Sequence, residues 1–346
     1  EVIENKSLRT QNQIERSDVF IIVVPTPVDQ ENIPNTSYVH DVIIELASIL
    51  EEGNLVIIES TCPVGTTKKF SEILFERRPD LLGKLYVAYC PERVIPGNIF
   101  KELIENDRIV GGINKNSSLV AMSFYKTFVS GEIHITDSTT AELCKLTENA
   151  SRDAQIAFAN EISIICEKVN VNPRELINLA NKHPRVNILN PGVGVGGHCI
   201  AVDPWFLVSD FENETKLIST VRETNINKTK WCLDKILNAI EQFIDTNNKK
   251  PKIACMGLAY KPDVDDLRES PAFDIALNIH NKYNENTLII EPNISKHELF
   301  HMSTINDALD QADIIVWLVL QKEFKSLKIK KKIIELDFIG LKSKYN

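Results

Sequence analysis

The chain has 346 residues, of which 43% are hydrophobic and 25% are charged, and its formal net charge at pH 7 is −9. This length predicts two or three domains, and the composition excludes a disordered or fibrous protein. The acidic balance argues against nucleic acid as a partner, the short apolar runs argue against a membrane span, and seven cysteines without a CxxC pair predict reduced thiols in a cytoplasmic protein.

The first third of the chain alternates short apolar runs with helical patterns. This alternation predicts a doubly wound parallel sheet with helices on both faces. The predicted strands are residues 19–24, 54–59, 85–89, 108–111 and 132–136, and the predicted helices are residues 38–50, 67–76 and 119–128.

Long helical patterns begin at Ser138. Residues 138–169 contain no Pro or Gly and predict one long helix, with further helices at 173–181 and 214–245. Because a long amphipathic helix needs a partner for its apolar stripe, this block forms either a homodimer surface or a bundle within the chain.

A second α/β section begins at Pro251. Its predicted strands are residues 252–256, 287–291, 313–320 and 332–336, and its predicted helices are residues 272–281 and 304–311. The predicted fold class is therefore α/β, with two Rossmann-like doubly wound parallel sheets joined by a central helical domain that carries the catalytic loop. The corresponding domains are residues 1–137, 138–248 and 249–346.

A glycine-rich segment at residues 190–204 contains the strongest candidates for ligand binding and catalysis in the sequence. Its glycines satisfy GxGxxG, but a dinucleotide fingerprint needs a strand before it and a helix after it, and Pro204 disfavours that helix. The glycines instead let the backbone approach a ligand and present Cys199, four residues before Asp203, in an exposed loop. Cys199 is then either a nucleophile or an inert buried cysteine.

Seven segments carry motifs in a fixed order. They are VPTP (24–27), ESTCPVGTT (59–67), CPERVIPG (90–97), AELCKLTENASRD (141–153), HPRVN (183–187), the glycine-rich segment extended to residue 207, and GLAYKPDVDDLRESP (257–271). In these segments the chain resembles the UDP-sugar 6-dehydrogenases of the UDP-glucose/UDP-mannose dehydrogenase family. The resemblance runs over about residues 18–337 and is greatest to the members that act on UDP-N-acetyl-D-mannosamine.

The resemblance implies an NAD-dependent four-electron oxidation of the C6 hydroxyl of UDP-N-acetyl-D-mannosamine to the uronate, for surface polysaccharide synthesis. Cys199 would form a thiohemiacetal and then a thioester that water cleaves, because a thiolate suits both steps. The alternatives are a dehydrogenase for UDP-glucose or UDP-N-acetylglucosamine, and a protein that binds a UDP-sugar but not NAD.

The resemblance also implies the residues of the site. Besides Cys199, the catalytic positions are Lys145 and Asn149, which share a helix face at i, i+4, then Asp203, which would pair with Lys145 or position a water, and Glu92 and Thr61. The substrate-binding positions are Arg93, Val94, Arg152, His183, Arg185, Gly197, Tyr260 and Lys261, the cofactor-binding positions are Thr26, Thr61 and Arg268, and no metal is expected.

A loop at residues 183–187 bears on the assembly. In relatives this loop reaches the substrate of a neighbouring subunit, so His183 and Arg185 imply a homodimer through the central helices. Read without the resemblance, a His-Pro-Arg sequence merely ends a helix, where cations favour the dipole.

One expected feature is missing from the start of the sequence. Relatives begin with a strand, a glycine-rich turn and a helix that hold the NAD pyrophosphate, whereas the first eighteen residues here are largely polar and lack glycine. We therefore expect either that the sequence is part of a longer protein or that the first sheet lacks its opening βαβ unit.

Overall fold

The structure, a computed structural model, describes residues 10–94, 98–329 and 333–341. It contains two compact units, which we call the first unit (residues 1–148 and 205–212) and the second unit (residues 149–204 and 213–346). The end of the CPERVIPG motif (residues 95–97), Lys332 of the last predicted strand and residues 1–9 lie outside the described residues.

The first unit contains a five-stranded sheet in the order β1-β2-β3-β4-β5. Its strands are β1 (Val19–Ile22), β2 (Leu55–Ile58), β3 (Tyr86–Tyr89), β4 (Arg108–Gly112) and β5 (Ile133–Asp137), and its helices include α1 (Ser37–Leu46), α2 (Thr66–Arg77), α3 (Ile99–Glu105) and α4 (Lys115–Tyr125). The predicted strands and the three predicted helices are present, with ends shifted by a few residues.

The prediction that this sheet is wholly parallel is wrong at one pair of strands. β3 and β4 run antiparallel, with Ala88 opposite Gly112, whereas the other pairs are parallel. The connection between them contains α3, which was not predicted and has no buried residue. Because α3 does not cover the sheet as a crossover helix does, the chain enters β4 from the end where β3 finishes.

Apolar strands place the first core on both faces of this sheet. All four residues of β2 are buried, and they alternate between two clusters. Val56 and Ile58 pack with α1 and α2, while Leu55 and Ile57 pack with α4. Continuous apolar strands of this kind are typical of a sheet covered on both sides.

The second unit combines long helices with a four-stranded parallel sheet in the order β7-β6-β8-β9. The remaining elements are α5 (Ser138–Lys168, whose first eleven residues belong to the first unit), α6 (Pro173–Ala180), α7 (Asp203–Asp210, mostly in the first unit), α8 (Lys216–Asn247), β6 (Ile253–Met256), α9 (Pro271–Tyr283), β7 (Thr287–Ile290), α10 (Ile305–Gln311), β8 (Ile314–Trp317) and β9 (Ile334–Asp337).

Helices α8 and α9 cover one face of the second sheet, and α10 covers the other. The α/β class with a helical central region is therefore confirmed, while the division into three domains stays a prediction. Within the described ranges, every helix is either too short or too polar to span a bilayer.

Candidate active site

Two threonines follow neighbouring parallel strands in the first unit. Thr26 lies beyond the carboxyl end of β1 and Thr61 beyond that of β2, and Ser60 ties the two loops together by hydrogen bonds of 2.8 Å to the N–H and the carbonyl of Val24. Both threonines are partly exposed, and within the described residues neither hydroxyl makes a hydrogen bond. Ligands of open α/β sheets bind at these strand ends, so the donors present fit part of a dinucleotide such as NAD.

The N-terminus of α2 is occupied by a carboxylate of the protein itself. Fully buried Glu142 accepts hydrogen bonds from the N–H groups of Gly65 and Thr67, at 2.6 and 2.7 Å, and from the Thr67 hydroxyl. Burial raises the pKa of Glu142, and these bonds offset part of the rise. This helix end is therefore not open to a phosphate. Glu142 was not predicted, because its only signal in the sequence is its place one turn before Lys145.

Four predicted site residues meet in the CPERVIPG segment and on α5. Lys145 donates a 2.7 Å hydrogen bond from Nζ to the backbone carbonyl of Glu92. The Glu92 carboxylate in turn accepts the N–H groups of Arg93 and Val94, at 2.6 and 2.8 Å. Arg93 also forms an ion pair with Glu148 at 3.0 Å. The first unit thus brings Lys145, Glu92, Arg93 and Val94 together.

Behind this segment lies a buried arginine that the sequence analysis also missed. Nη2 of Arg108 is 3.3 Å from the Glu92 carboxylate, and its guanidinium lies 4.9 Å from the centre of the Tyr125 ring. The Tyr125 hydroxyl donates to Glu59, and burial raises the pKa of that carboxyl. Arg108 therefore holds Glu92 from the core side. The only sign of Arg108 in the sequence is a cation at the first position of an apolar strand.

The second unit positions Cys199 on a tight turn at the start of α7. The Cys199 carbonyl accepts the N–H groups of Val202 and Asp203, at 3.0 and 2.7 Å. Asp203 is almost fully buried, and its carboxylate accepts a 2.5 Å hydrogen bond from the side-chain amide of Asn149. The structure thus brings together Cys199, Asp203 and Asn149.

The start of α7 differs from the prediction made for Pro204. Pro204 does not prevent a helix, because α7 begins at Asp203 with the proline in its first turn, where the missing N–H costs nothing. In the described chain, however, the element directly before the glycines is helix α6 and not a strand. The dinucleotide fingerprint is therefore excluded by the missing strand and not by the proline.

Exposure separates Cys199 from most of the other cysteines. All seven lie in the described ranges and none forms a disulfide; Cys199 and Cys144 are half-buried, and the rest are buried. Burial raises the pKa of the Cys90 thiol to about 11 and that of Cys255 to about 12, which makes these thiols poor nucleophiles. Cys199, by contrast, is only half-buried.

Arg268 lies close to the Cys199 turn. Its guanidinium bonds to the Asp266 carboxylate at 2.6 to 3.1 Å, and this contact raises the pKa of Arg268, with smaller contributions from the charges of Tyr260 and Cys199. A neighbouring cation favours the thiolate form of a cysteine. In the described chain Nη1 of Arg268 is outside the ion pair and remains open to an anionic ligand.

Gly197 joins this turn to the GLAYKPDVDDLRESP segment. Its N–H donates to the carbonyl of Arg268 at 3.1 Å, and its φ is +85°. A Cβ at this position would lie 2.8 Å from the ring of Tyr260. Only glycine therefore combines the left-handed backbone with this close approach to Tyr260.

A cavity of about 640 Å³ in the second unit lies beside the glycines. It is lined by residues 190–194, by residues 259–262, which include Tyr260 and Lys261, and by residues of α9 and the strand end after β8. This volume lies within the usual range for small-molecule sites. Arg152, His183 and Arg185 are exposed and are not among the described lining residues. The described residues also contain no cluster of His, Cys, Asp and Glu that could hold a metal ion.

Comparison with known proteins matches most of the chain. Models of the UDP-glucose/GDP-mannose dehydrogenase family match residues 1–129 (NAD binding domain), 139–227 (central domain) and 254–338 (UDP binding domain). A UDP-N-acetyl-D-mannosamine dehydrogenase from Campylobacter jejuni is 47% identical over 339 residues, covering 93% of this chain and 82% of that protein. An NDP-N-acetyl-D-galactosaminuronic acid dehydrogenase from Ralstonia solanacearum is 46% identical, covering 92% and 77%.

The fold comparison agrees with the sequence comparison. The solved structure of a UDP-D-ManNAc dehydrogenase from Pyrococcus horikoshii is 39% identical and superposes with a TM-score of 0.83, covering 94% of this chain and 78% of that one. The predicted family and NAD as its cofactor are thereby confirmed. The chain belongs to the UDP-glucose/GDP-mannose dehydrogenase family, the NAD-dependent dehydrogenases of nucleotide sugars.

Proposed function

We propose that the protein oxidises the C6 hydroxyl of UDP-N-acetyl-D-mannosamine to the carboxylate of UDP-N-acetyl-D-mannosaminuronate, a precursor for surface polysaccharide. The observation that carries the proposal is the half-buried thiol of Cys199, on a turn whose Asp203 is held by Asn149. The 47% identity to a UDP-N-acetyl-D-mannosamine dehydrogenase supports the choice of sugar. A cytoplasmic location, where thiols stay reduced, suits this chemistry.

Cys199 accounts for the covalent part of the reaction. After the first oxidation, its thiolate adds to the C6 aldehyde, a C–S bond forms, and the carbonyl oxygen takes up a proton to give a thiohemiacetal. Loss of the remaining C6 hydride and of that proton leaves a thioester. Water then adds to the thioester carbonyl, the C–S bond breaks, and the carboxylate and the Cys199 thiolate are released.

NAD⁺, when bound, accepts one hydride in each of the two oxidations. In the first unit, Thr26 and Thr61 would hold it through hydroxyls that are otherwise unbonded in the described chain, and in the second unit Arg268 would supply a cation for its phosphates. The balanced reaction consumes one alcohol, two NAD⁺ and one water, and yields one carboxylate, two NADH and three protons.

The polar groups of each unit would serve different parts of this chemistry. In the first unit, Lys145 would stabilise the developing alkoxide with its ammonium group, and Glu92, held by Arg108, would orient the hydrolytic water. In the second unit, the Asn149 amide would assist the oxyanion, and Asp203 would keep the Cys199 turn in place.

The nucleotide sugar would bind along the cavity of the second unit. Tyr260 and Lys261 line it, and Gly197 packs against the Tyr260 ring, so that the backbone of the glycine segment can approach the ligand closely. Arg93, Val94 and Arg152 would contact the sugar. The three-domain division of the sequence, at residues 137 and 248, is part of this proposal.

A homodimer would give exposed His183 and Arg185 a role, because each could reach the substrate of the other subunit. An exposed apolar stripe at the end of α5 supports this: Phe158 and Ile165, 54 and 49% exposed, share one face of the helix, and Val169, 62% exposed, follows directly after it. A second copy of the chain would cover this stripe, whereas a bundle within the chain leaves it open to water.

Comparing kcat/KM for UDP-N-acetyl-D-mannosamine, UDP-glucose and UDP-N-acetylglucosamine tests the substrate. We expect the mannosamine derivative to be preferred by at least about ten-fold, which corresponds to about 1.4 kcal/mol of transition-state binding. Preference for another sugar would reassign the substrate within the family. UDP binding without NADH formation from any of the three would leave only a binding protein.

A further inference from the structure

A row of buried polar side chains lies between helices α5 and α8 in the second unit. It consists of Asp153 and Asn160 on α5 and of Arg222 and Asn225 on α8, all at most 4% exposed. We call these four residues the polar seam. Burying polar groups in a helical core costs free energy unless each finds a partner, so such a row calls for an explanation beyond packing.

The hydrogen bonds of the polar seam form a chain in which each donor points toward Asp153. Arg222 and Asn225 both donate to the Asp153 carboxylate, at 2.8 and 2.7 Å. With its amide nitrogen used in this way, Asn225 presents its carbonyl oxygen to the amide of Asn160, at 2.9 Å. A carboxylate can only accept, so Asp153 sets the orientation of Asn225, which in turn sets that of Asn160.

At Asn160 the polar seam contacts the glycine segment. With its nitrogen donating to Asn225, Asn160 turns its oxygen outward, and this oxygen accepts the N–H of Gly192 at 2.9 Å. An Asn160 amide in the flipped orientation would instead point its NH₂ group at that N–H. Asp153, acting through Asn225, thus determines that the side-chain oxygen of Asn160 and not its NH₂ group faces the N–H of Gly192.

The peptide group two further along the loop, between Val193 and Gly194, is held from the other helix. The Thr229 hydroxyl on α8 donates to the carbonyl of Val193 at 2.9 Å. A Cβ at Gly194 would lie 2.3 Å from the Thr229 oxygen, so the loop packs directly on this side chain. Gly192, Val193 and Gly194 all line the 640 Å³ cavity. Two peptide groups of the cavity wall are therefore held by side chains, Asn160 and Thr229, that are not among its described lining residues.

We propose that Asn160 and Thr229 are positioning residues for the nucleotide: they hold the glycine segment in the conformation that binds the diphosphate-linked nucleoside of the substrate. This assignment rests on the proposed function, because it takes the cavity to be the UDP site. Neither residue touches the ligand; each acts through the loop backbone. Holding the loop in the unliganded protein removes an ordering cost that binding would otherwise carry.

The experiment measures the affinity of the full chain for UDP by titration calorimetry, together with the thermal midpoint of each variant. Thr229→Val keeps the shape of the side chain but removes the donor, and we expect about ten-fold weaker UDP binding. Thr229→Ser restores the hydroxyl and should restore the affinity. Asn160→Ala should weaken binding similarly, and with UDP-sugar as substrate it should raise KM more than it lowers kcat.

Ser163→Ala is the matched control. Ser163 is buried on the same face of α5. Its hydroxyl donates to the backbone carbonyl of Asn160 at 2.6 Å and accepts from Lys228 at 2.8 Å, and in the described part of the chain it has no hydrogen bond to the glycine segment. We expect it to lower the thermal midpoint without changing UDP affinity. Unchanged affinity in folded Thr229→Val and Asn160→Ala would overturn the assignment. An unaltered chain that does not bind UDP would overturn both the assignment and the proposed function.

Discussion

Substituting Arg222 by methionine leaves the Asp153 carboxylate without its ion-pair partner in the helical core. The two side chains are 5% and 0% exposed and lie 2.8 Å apart. Removing one partner of a buried pair costs about 3–5 kcal/mol. We expect the lower end of this range, because Asn225 keeps its 2.7 Å bond to Asp153. A loss of about 3 kcal/mol lowers the thermal midpoint of a domain of this size by roughly 6–12 °C.

The pH dependence of that loss follows from the pKa of Asp153. Burial raises this pKa, and Arg222 and Asn225 offset part of the rise, so that removing Arg222 raises it further. A carboxyl whose folded pKa is raised contributes stability that is fully present below its unfolded pKa, about 3.9, and is lost as pH rises through the folded pKa. The loss of stability in the variant should therefore grow as pH rises from 5 to 8.

Thermal and urea unfolding of Arg222→Met from pH 5 to 8 measures both effects. Lys84→Met is the control, because Lys84 and Glu52 form a pair at 3.1 Å that is 50% and 68% exposed, and such pairs contribute at most about 1 kcal/mol. Adding Asp153→Asn to Arg222→Met should recover much of the loss at pH 7. A midpoint within about 2 °C of the unaltered chain, or a deficit independent of pH, would refute the reasoning.

Three further predictions concern the proposed chemistry and assembly. Cys199→Ala should abolish the second oxidation, so that at most one NADH forms for each sugar, while UDP affinity, measured by calorimetry, stays within about two-fold; a large loss of affinity would point to a structural role instead. Lys145→Met should lower kcat by about 10²–10⁴-fold without a comparable change in KM, and a variant with normal kcat would exclude Lys145 from proton transfer or alkoxide stabilisation. Phe158→Glu should halve the molar mass measured by light scattering, whereas an unchanged mass would place the subunit contact elsewhere.

Elements with a strong local signal were predictable from the sequence. The runs that form β2, β6 and β8 are apolar at every position, and each is buried throughout. Helix α5 is continuous over 31 residues because no Pro or Gly interrupts it. In such segments the local pattern and the tertiary environment favour the same structure.

The direction of β4 and two short helices were not predictable in this way. Strand direction depends on the route of the connection, and the periodicity of β4 is the same in either direction. Helices α3 and α7 have seven and eight residues, too few to establish a periodic pattern, and in α7 the proline suggested a break.

Within the site, the resemblance identified positions but not the contacts between them. Glu142 reaches Thr67 across 75 residues of sequence, and Arg108 reaches Glu92 across 16, and neither contact leaves a periodic trace. The same holds for Asn160 and Gly192, which are 32 residues apart. Long-range polar contacts of this kind can be recognised only in the three-dimensional structure.

The central claim is that this chain carries out both oxidations at C6, the second of them through a thioester on Cys199. The most direct test is the ratio of NADH formed to UDP-N-acetyl-D-mannosamine consumed, measured to completion with excess NAD⁺ and with the product mass determined in parallel. The account predicts two NADH for each sugar and a product heavier than the substrate by the exchange of two hydrogens for one oxygen. A ratio of one with an aldehyde product, or no NADH at all, would contradict it.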